Sequence, residues 1–293
     1  MKLLTFEREG KAVPGVLSAC GKYVCPLSAF GIGAETLEQY IFESDRAALN
    51  DLNAKVAAGG IADKLPLDAV KLLAPIPAPR QQLFCMENNY YASNEEKEEA
   101  IATGTAPALP TFYWKKATAA SGTGAAIPSY PEYVKELDYE PGIAFITAAD
   151  VRNVPYEDAT RYILGYTIVN NVIARDLHRR HRRPVLATSL DGFLPMGPWI
   201  TTADEFGREP VFRLETRVNG ELVQCCSTEL RKFTPEWVVS DVSRLSLLKA
   251  ASIFWTGTPF GCGKDQDPPR WLRRGDVVEC TVEGLGTLTN TVV

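Results

Sequence analysis

The sequence contains only two histidines, His178 and His181, so chemistry that needs an imidazole has two candidates. His178 follows Ala174-Arg175-Asp176-Leu177 and opens a basic stretch that ends at Arg183. A histidine ordinarily titrates near neutral pH, which suits a general acid or base. A solvated basic helix or lid, or a docking patch for an acidic partner, would give the same pattern. Both interpretations of His178 stay open.

Four segments combine tight glycines with polar residues in apolar surroundings, and we expect the site to be built from them. They are residues 85–96, 137–144, 165–176 and 256–263. In the third segment, the guanidinium of Arg175 suits a carboxylate, although pairing with neighbouring Asp176 is the alternative. In the fourth, the Thr258 hydroxyl and the following backbone amides can line an anion site, unless the glycines only shape a turn.

The elements that must position these residues fall into two parts. Short apolar runs separated by glycines predict a β-meander at the start, and Ser44 is expected to cap a helix that stops at Gly59. Residues 74–79 carry a proline at every second position, which is typical of a stiff connection. We predict a small N-terminal domain over 1–75 and a larger domain over 76–293.

The sequence of the larger part predicts many strands. Residues 211–218 alternate apolar and polar side chains, as a half-buried strand does, and Asn219-Gly220 then supplies a hairpin turn. Further strands are predicted at 143–147, 163–169 and 277–282, and helical spacing is found at Val238, Val242 and Leu245. The mixture predicts an α+β fold with a large mixed sheet rather than alternating βαβ units.

Composition excludes several classes of protein. The 293 residues are 45% hydrophobic and 23% charged, which is typical of a globular chain. A net charge of −5 gives no overall attraction for nucleic acid. There is no apolar run of about 18 residues and no signal-peptide core at the start, so we expect a cytoplasmic protein without a membrane partner. Seven cysteines without a CxxC pair predict reduced thiols and no zinc site, with Cys85 and Cys262 buried rather than nucleophilic.

Short motifs follow one another in a recognisable order along residues 80–293. They are Cys85-Met86-Glu87-Asn88-Asn89-Tyr90, Leu137-Asp138-Tyr139-Glu140, Gly165-Tyr166-Thr167, Ala174-Arg175-Asp176-Leu177, Gly197-Pro198-Trp199, Asn219-Gly220-Glu221, Thr256-Gly257-Thr258-Pro259, Gly275-Asp276-Val277-Val278 and Glu283-Gly284-Leu285-Gly286-Thr287-Leu288. In order and spacing the chain resembles the fumarylacetoacetate hydrolase family. The resemblance implies a mixed β-roll catalytic domain, a homodimer, and Mg²⁺ or Mn²⁺ held by two glutamates and an aspartate. Members act on short oxo acids, and their metal stabilises enolate charge during hydrolysis, decarboxylation, tautomerisation or dehydration.

The sequence departs from this family at the metal ligands. By the resemblance the three ligand positions fall on Glu140, Gly142 and Asn171, so one carboxylate of three remains. Divalent ions of this kind bind through oxygen number and charge, so their binding should be severely weakened. Glu136 or Asp138 is the alternative ligand, because alternate residues of a strand share one face. We expect no cofactor, with Mg²⁺ or Mn²⁺ as the alternative.

The acid–base residues depart from the family as well. The family's histidine and glutamate fall on Ser93 and Glu96, which form a poor base at neutral pH and would otherwise cap a helix over 94–102. A family lysine falls on Thr188, whereas Lys115 keeps a nearby cationic position. His178 stands where members often carry glutamine, which makes it a candidate for a relocated acid or base. The catalytic candidates are therefore Glu140, His178, Glu96, Ser93 and Asn171, and the substrate-binding candidates are Arg175, Lys115, Thr188, Thr258 and Tyr90.

These residues predict an enzyme that acts on a polar enol, oxo-acid or β-dicarbonyl substrate by metal-independent proton transfer, through isomerisation, decarboxylation, dehydration or cyclisation. The alternatives are a metal-dependent C–C hydrolase or oxo-acid decarboxylase with substituted ligands, and a non-catalytic binding pseudoenzyme. The first is favoured because the polar residues around Glu140 persist while the metal set is lost. Gly142 and Asn171 should also make room for a larger or more hydrophobic substrate, as a specialised biosynthetic pathway would supply.

Overall fold

Strands account for most of the regular structure in a computed structural model that describes residues 1–293. The strands are β1 Lys2–Arg8, β2 Lys11–Leu17, β3 Tyr23–Pro26, β4 Leu65–Pro66, β5 Lys71–Leu72, β6 Leu83–Glu87, β7 Thr111–Lys115, β8 Ala126–Ile127, β9 Leu137–Asp138, β10 Pro141–Thr147, β11 Ile163–Asn170, β12 Ile173–Ala174, β13 Met196–Thr202, β14 Arg213–Val218, β15 Glu221–Ser227, β16 Ile253–Trp255, β17 Val277–Val282 and β18 Gly286–Val292. The fold is mixed α/β and confirms the predicted large mixed sheet.

Six α-helices and several short 3-10 turns connect the strands. The helices are α1 Leu37–Glu43, α2 Arg46–Ala58, α3 Asn94–Thr103, α4 Arg175–His181, α5 Pro184–Thr188 and α6 Pro235–Leu245. Helix α2 begins one residue later than predicted, because Asp45 is its N-cap and accepts a hydrogen bond from the Ala48 amide at 2.8 Å. Ser44 instead ends α1. None of the helices combines the length and the apolar character needed to cross a membrane.

One sheet of eleven strands runs through both predicted domains. Its order is β4-β3-β2-β1-β13-β11-β10-β16-β6-β7, with β5 paired to β1. The N-terminal meander joins the larger part through β1 and β13, where Leu3 lies opposite Ile200. The boundary at residue 75 stays a prediction, since strands from both sides of it belong to the same sheet.

A second sheet of five strands has the order β15-β14-β17-β18-β8. The predicted hairpin between β14 and β15 is present, and both turn residues have positive φ, 54° at Asn219 and 81° at Gly220. Backbone twist of this kind matches the twist of the flanking strands, which is why Asn-Gly is favoured there. Local sequence therefore specifies the turn of this hairpin.

Strand β10 lies in the middle of the large sheet and is buried along its whole length. Its side chains alternate between two hydrophobic clusters, with Ile143 and Phe145 in one and Ala144 and Ile146 in the other. Apolar contacts on both faces fix the register of the strand, because a slip of one residue would exchange the two faces. The residues just before β10, which include Glu140, are thereby held in one position.

Candidate active site

Glu140 and Asn171 lie side by side at one end of the two central strands. Pro141, the first residue of β10, pairs with Asn170, the last residue of β11, and the Asn171 amide donates to the Glu140 carbonyl at 2.9 Å. Both side chains are at most 11% exposed. The antiparallel pairing therefore brings together residues that are far apart in sequence.

A connected group of five polar side chains surrounds this point, and we call it the inner cluster. Its members are Lys115, Asp138, Glu140, Asn171 and Arg175. Oε1 of Glu140 lies 2.7 Å from Nη1 of Arg175. Oε2 of Glu140 accepts a hydrogen bond from Nδ2 of Asn171 at 2.7 Å. Oδ1 of Asn171 accepts from Nζ of Lys115 at 2.8 Å. The asparagine amide thus bridges a carboxylate and an ammonium, donating to one and accepting from the other.

Asp138 anchors the cluster from the opposite side of Arg175. Its Oδ2 accepts from Nε of Arg175 at 2.8 Å, and its Oδ1 accepts from the Gly263 amide at 2.8 Å. Burial raises the pKa of Asp138, and the neighbouring guanidinium opposes that shift. Burial lowers the pKa of Arg175, but Glu140 and Asp138 outweigh burial and the net direction is upward. The predicted alternative pairing of Arg175 with Asp176 is wrong, because Arg175 pairs with Asp138 and Glu140.

Lys115 is a buried cation whose close partners are neutral oxygens. Its Nζ donates to Oδ1 of Asn171 at 2.8 Å and to the Phe193 carbonyl at 2.7 Å, and the residue is 1% exposed. Burial lowers the pKa of Lys115 from 10.5 to about 7, against the upward pull of Cys85 and Glu140. The ammonium therefore titrates in the physiological range.

The two cysteines near the site have the structural role expected of them. Cys85 and Cys262 are fully buried. Burial raises the pKa of the Cys85 thiol to about 12 and that of Cys262 well above its usual range. Neither thiol is in the reactive thiolate form at neutral pH.

The inner cluster does not offer the donor set of a divalent-ion site. No group of three or more His, Cys, Asp or Glu side chains is arranged to hold a metal ion. The oxygens of Glu140 face Arg175 and Asn171, and the only oxygen of the Asn171 side chain accepts from the Lys115 ammonium. Mg²⁺ and Mn²⁺ require several free oxygen donors, so these residues do not fit the ion that the family resemblance implies.

The two proposed substitute ligands, Glu136 and Asp138, are both engaged by other partners. Glu136 lies before β9 and forms an ion pair of 2.6 Å with Arg179 on the outside of α4. Asp138 is held by Arg175 and by the amides of Gly263 and Lys264. Each therefore has a partner that leaves it unsuited to replace a ligand beside Glu140.

Gly142 does not create the space that the sequence predicted. A Cβ atom at this position would lie 2.2 Å from the carbonyl oxygen of Gly257 and 2.6 Å from Nε1 of Trp255. Backbone and indole therefore fill the volume that a larger side chain would need. The expectation that Gly142 makes room for a bulkier substrate is wrong at this position.

A cavity of about 460 Å³ opens over the inner cluster. The buried residues Glu140, Arg175 and Tyr113 line it, and His178 and Glu96 also belong to its wall. His178 follows Arg175 by three residues on α4, so both side chains fall on one helix face. The predicted acid–base candidate His178 is thus brought to the same cavity as Glu140.

The remaining predicted residues divide into those at the cavity and those outside it. Tyr90 and Thr258 line it, and the Tyr90 hydroxyl is 3.3 Å from Oγ1 of Thr256. Thr188 is buried in α5 and donates to the Pro184 carbonyl at 2.9 Å, so the structure does not place it at the cavity. Ser93 is the N-cap of α3, accepting from the Glu96 amide at 3.2 Å.

The predicted anion site after Thr258 is filled by the chain itself. The carboxylate of Asp265 accepts from the amides of Gly261 and Cys262, each at 3.0 Å. The Gly261 amide is therefore engaged and does not contribute to an anion site, whereas the role predicted for the Thr258 hydroxyl stays a prediction. Sequence reasoning also missed Tyr113, whose hydroxyl accepts from Nδ2 of Asn171 at 2.9 Å, and Trp255.

Comparison with known proteins places the chain in a family. The family model described as fumarylacetoacetate (FAA) hydrolase, C-terminal, matches residues 82–293. The chain belongs to the fumarylacetoacetate hydrolase family. The resemblance noted in the sequence is confirmed, and the match covers the inner cluster and the whole wall of the cavity.

Individual relatives within the family are similar over most of the chain. Oxaloacetate tautomerase YisK of Bacillus subtilis (strain 168) is 36% identical over 229 residues, which cover 77% of this chain and 74% of that protein. The mitochondrial oxaloacetate tautomerase fahd2 of Xenopus laevis is 30% identical over 297 residues, which cover 100% of this chain and 90% of that protein. A solved structure of a fumarylacetoacetate hydrolase from psychrophilic Exiguobacterium antarcticum matches with a TM-score of 0.86 and 34% identity. The match covers 100% of this chain and 99% of that one.

Proposed function

We propose that the protein is an oxo-acid tautomerase or isomerase that moves a proton between a carbon atom and the neighbouring oxo oxygen without a divalent ion. Two relatives that are 36% and 30% identical bear the name oxaloacetate tautomerase, which supports a short 2-oxo acid as the substrate. Tautomerisation requires a base near the carbon that loses the proton, and positive charge or hydrogen-bond donors near the oxo oxygen.

The observation that carries the proposal is the charge balance of the inner cluster. Asp138 and Glu140 supply two negative charges, and Arg175 and protonated Lys115 supply two positive charges, so the cluster is neutral at pH values at which Lys115 keeps its proton. The replacement of two family carboxylates by Gly142 and Asn171 removes two negative charges, which is the number that the two positive charges of a divalent ion would offset. Burying an unbalanced charge is costly, so a neutral cluster is complete without an ion.

Three side chains of the protein can then contribute to proton transfer. Arg175 reaches the cavity beside Glu140 and provides positive charge for a substrate carboxylate or a developing enolate. Lys115 adds positive charge from behind Asn171 when it is protonated. His178 has no side-chain hydrogen bond or ion pair in the structure and lies in the cavity wall, which suits a group that takes up and returns a proton.

A tautomerase assay with matched carboxylate variants tests the proposal. Enol oxaloacetate absorbs in the ultraviolet, so its approach to equilibrium with the keto form can be followed directly at limiting enzyme. We expect turnover that EDTA leaves unchanged and that Glu140→Gln reduces at least about a hundredfold. Glu136→Gln, in an ion pair outside the cavity, should keep full activity.

The same assay separates the other two interpretations. Activity that disappears with EDTA and returns with Mn²⁺ would support a rebuilt metal site and overturn the metal-free mechanism. Absence of turnover under both conditions, with binding of oxalate retained, would support a binding protein. The homodimer and the cytoplasmic location stay predictions from the resemblance and from composition.

A further inference from the structure

Trp255 carries a buried hydrogen-bond donor that the protein leaves without a partner. The residue is 3% exposed, and its indole Nε1 has no hydrogen-bond acceptor in the structure. Buried N–H groups are nearly always paired, so an unpaired one calls for a specific explanation. Trp255 is also one of the residues that line the cavity over the inner cluster.

The position of this indole depends on the neighbouring strand. Trp255 ends β16 and lies opposite Ala144 of β10, so its side chain shares a face with Ala144 and Gly142. A Cβ atom on Gly142 would lie 2.6 Å from Nε1. The indole nitrogen can therefore approach the strand only because residue 142 is glycine. The position at which the family resemblance expects a second carboxylate presents an N–H donor in this chain.

We propose that the indole N–H of Trp255 donates a hydrogen bond to the oxo or enolate oxygen of the substrate. This inference rests on the proposed function, because it assigns the missing acceptor to a 2-oxo acid bound in the cavity. A donor without net charge fits the site, since the inner cluster is already balanced and a further cation would upset it. An N–H aimed at an oxygen that gains negative charge stabilises the enolate more than the ketone.

A pair of tryptophan variants isolates the donor. Trp255→Phe keeps an aromatic ring in the wall and removes only the N–H and part of the indole. Trp199→Phe is the matched control, because Nε1 of Trp199 is also buried and unpaired, while Trp199 packs against Gly286 and lies outside the cavity. Thermal melts of both variants establish that the fold is retained.

Nuclear magnetic resonance of the ¹⁵N-labelled indoles, with oxalate as the probe, supplies a direct readout. Oxalate is a planar dianion that resembles the enolate of a short 2-oxo acid. The five tryptophans give five indole N–H signals, and Trp255→Phe identifies the one from Trp255 by its loss. We expect oxalate to move that signal downfield, as a new hydrogen bond does, and to leave the Trp199 signal in place.

Turnover of oxaloacetate gives the second readout. We expect kcat to fall at least about tenfold in Trp255→Phe and to stay unchanged in Trp199→Phe. Oxalate binding that leaves the Trp255 signal unmoved, together with full activity of Trp255→Phe, would overturn the inference and leave the proposed function standing. A shifted Trp255 signal in a protein without turnover would support the donor and overturn the tautomerase. Neither binding nor turnover in the native protein would overturn both.

Discussion

The inner cluster differs in how its charges are held from the half-buried part of the cavity wall that contains His178 and Lys232, which we call the mouth. In the inner cluster, each charged side chain has an oppositely charged or amide partner within 2.8 Å. At the mouth, His178 and Lys232 line the same cavity without any ion pair. Lys232 packs its ammonium over the Tyr91 ring at 4.8 Å instead. Buried charges must be balanced, whereas exposed ones are stabilised by water.

The difference separates two tasks of the site. The inner cluster is fixed by the fold, because Arg175 is the shared cation of two buried carboxylates, Asp138 and Glu140, and its removal would leave both without a cationic partner. The mouth can change its residues at little cost to stability, which leaves His178 free to serve as an acid or base. Changes in the inner cluster should therefore affect stability and activity together, and changes at the mouth should affect activity alone.

Arg175→Met should produce the largest effect, because it leaves the carboxylates of Asp138 and Glu140 buried without their cation. We expect a loss of about 3–5 kcal/mol in unfolding free energy and no measurable turnover. Arg179→Met is the control on the same helix, since Arg179 is 63% exposed and its ion pair with Glu136 should contribute only about 1 kcal/mol. Denaturant titration of both variants measures the difference, and equal stabilities would remove the distinction between cluster and surface.

His178→Gln should lower kcat about a hundredfold while the melting temperature stays within about one degree of the native value. The imidazole lines the cavity but stabilises nothing around it through hydrogen bonds or ion pairs. His181→Gln, which alters the exposed last residue of α4, should leave both quantities unchanged. Full activity of His178→Gln would instead favour the solvated-lid interpretation of this basic stretch.

Lys115→Met should change how stability depends on pH. Burial lowers the pKa of Lys115 from 10.5 to about 7, so above pH 7 the unfolded chain binds a proton that the folded protein has lost. The unfolding free energy of the native protein should then rise relative to the variant between pH 7 and 10, by at most about 1.4 kcal/mol per pH unit. Below pH 7 both states hold the proton and the two curves should run parallel.

Exposed Lys116 provides the control for this experiment. Urea titrations at pH 6, 7, 8 and 9 should show the changing difference for Lys115→Met and a constant one for Lys116→Met. A constant difference for both would mean that Lys115 stays protonated throughout, and that its charge is better compensated than its neutral partners indicate.

Ser93→Ala should have the smallest effect, about 1 kcal/mol in unfolding free energy, because the hydroxyl caps α3. Its kcat should stay within about twofold of the native value, since Ser93 does not line the cavity. Stability can be measured by thermal melts and activity by the enol absorbance. A large loss of activity with unchanged stability would return Ser93 to the catalytic candidates.

Local signals in the sequence were sufficient for several elements but not for the partners of the site residues. The strands within 143–147 and 163–169, the Asn219-Gly220 hairpin and the cap of α3 follow from periodicity, turn chemistry and capping, all of which act over a few residues. Helix α2 was displaced by one residue because adjacent Ser44 and Asp45 can both act as caps.

The partners of Arg175 and the surroundings of Gly142 depend on tertiary structure. Arg175 starts a helix, and neighbours one residue apart on a helix do not face each other, which separates it from Asp176. Gly142 meets Trp255 and Gly257 only because β10 pairs with β16, and no local pattern specifies that pairing. The family resemblance located the site, while its altered chemistry emerged from contacts distant in sequence.

We infer that the inner cluster, with Lys115 protonated, has balanced charges without a divalent ion. The most direct test is a thermal melt of the EDTA-treated native protein, titrated with Mn²⁺ and compared with Asn171→Asp. The variant places a second carboxylate beside Glu140 and should be destabilised without metal and stabilised by Mn²⁺. We expect no shift for the native protein up to about 1 mM Mn²⁺, because both oxygens of Glu140 are already engaged by Arg175 and Asn171. A rise in melting temperature of the native protein at micromolar Mn²⁺ would contradict this inference.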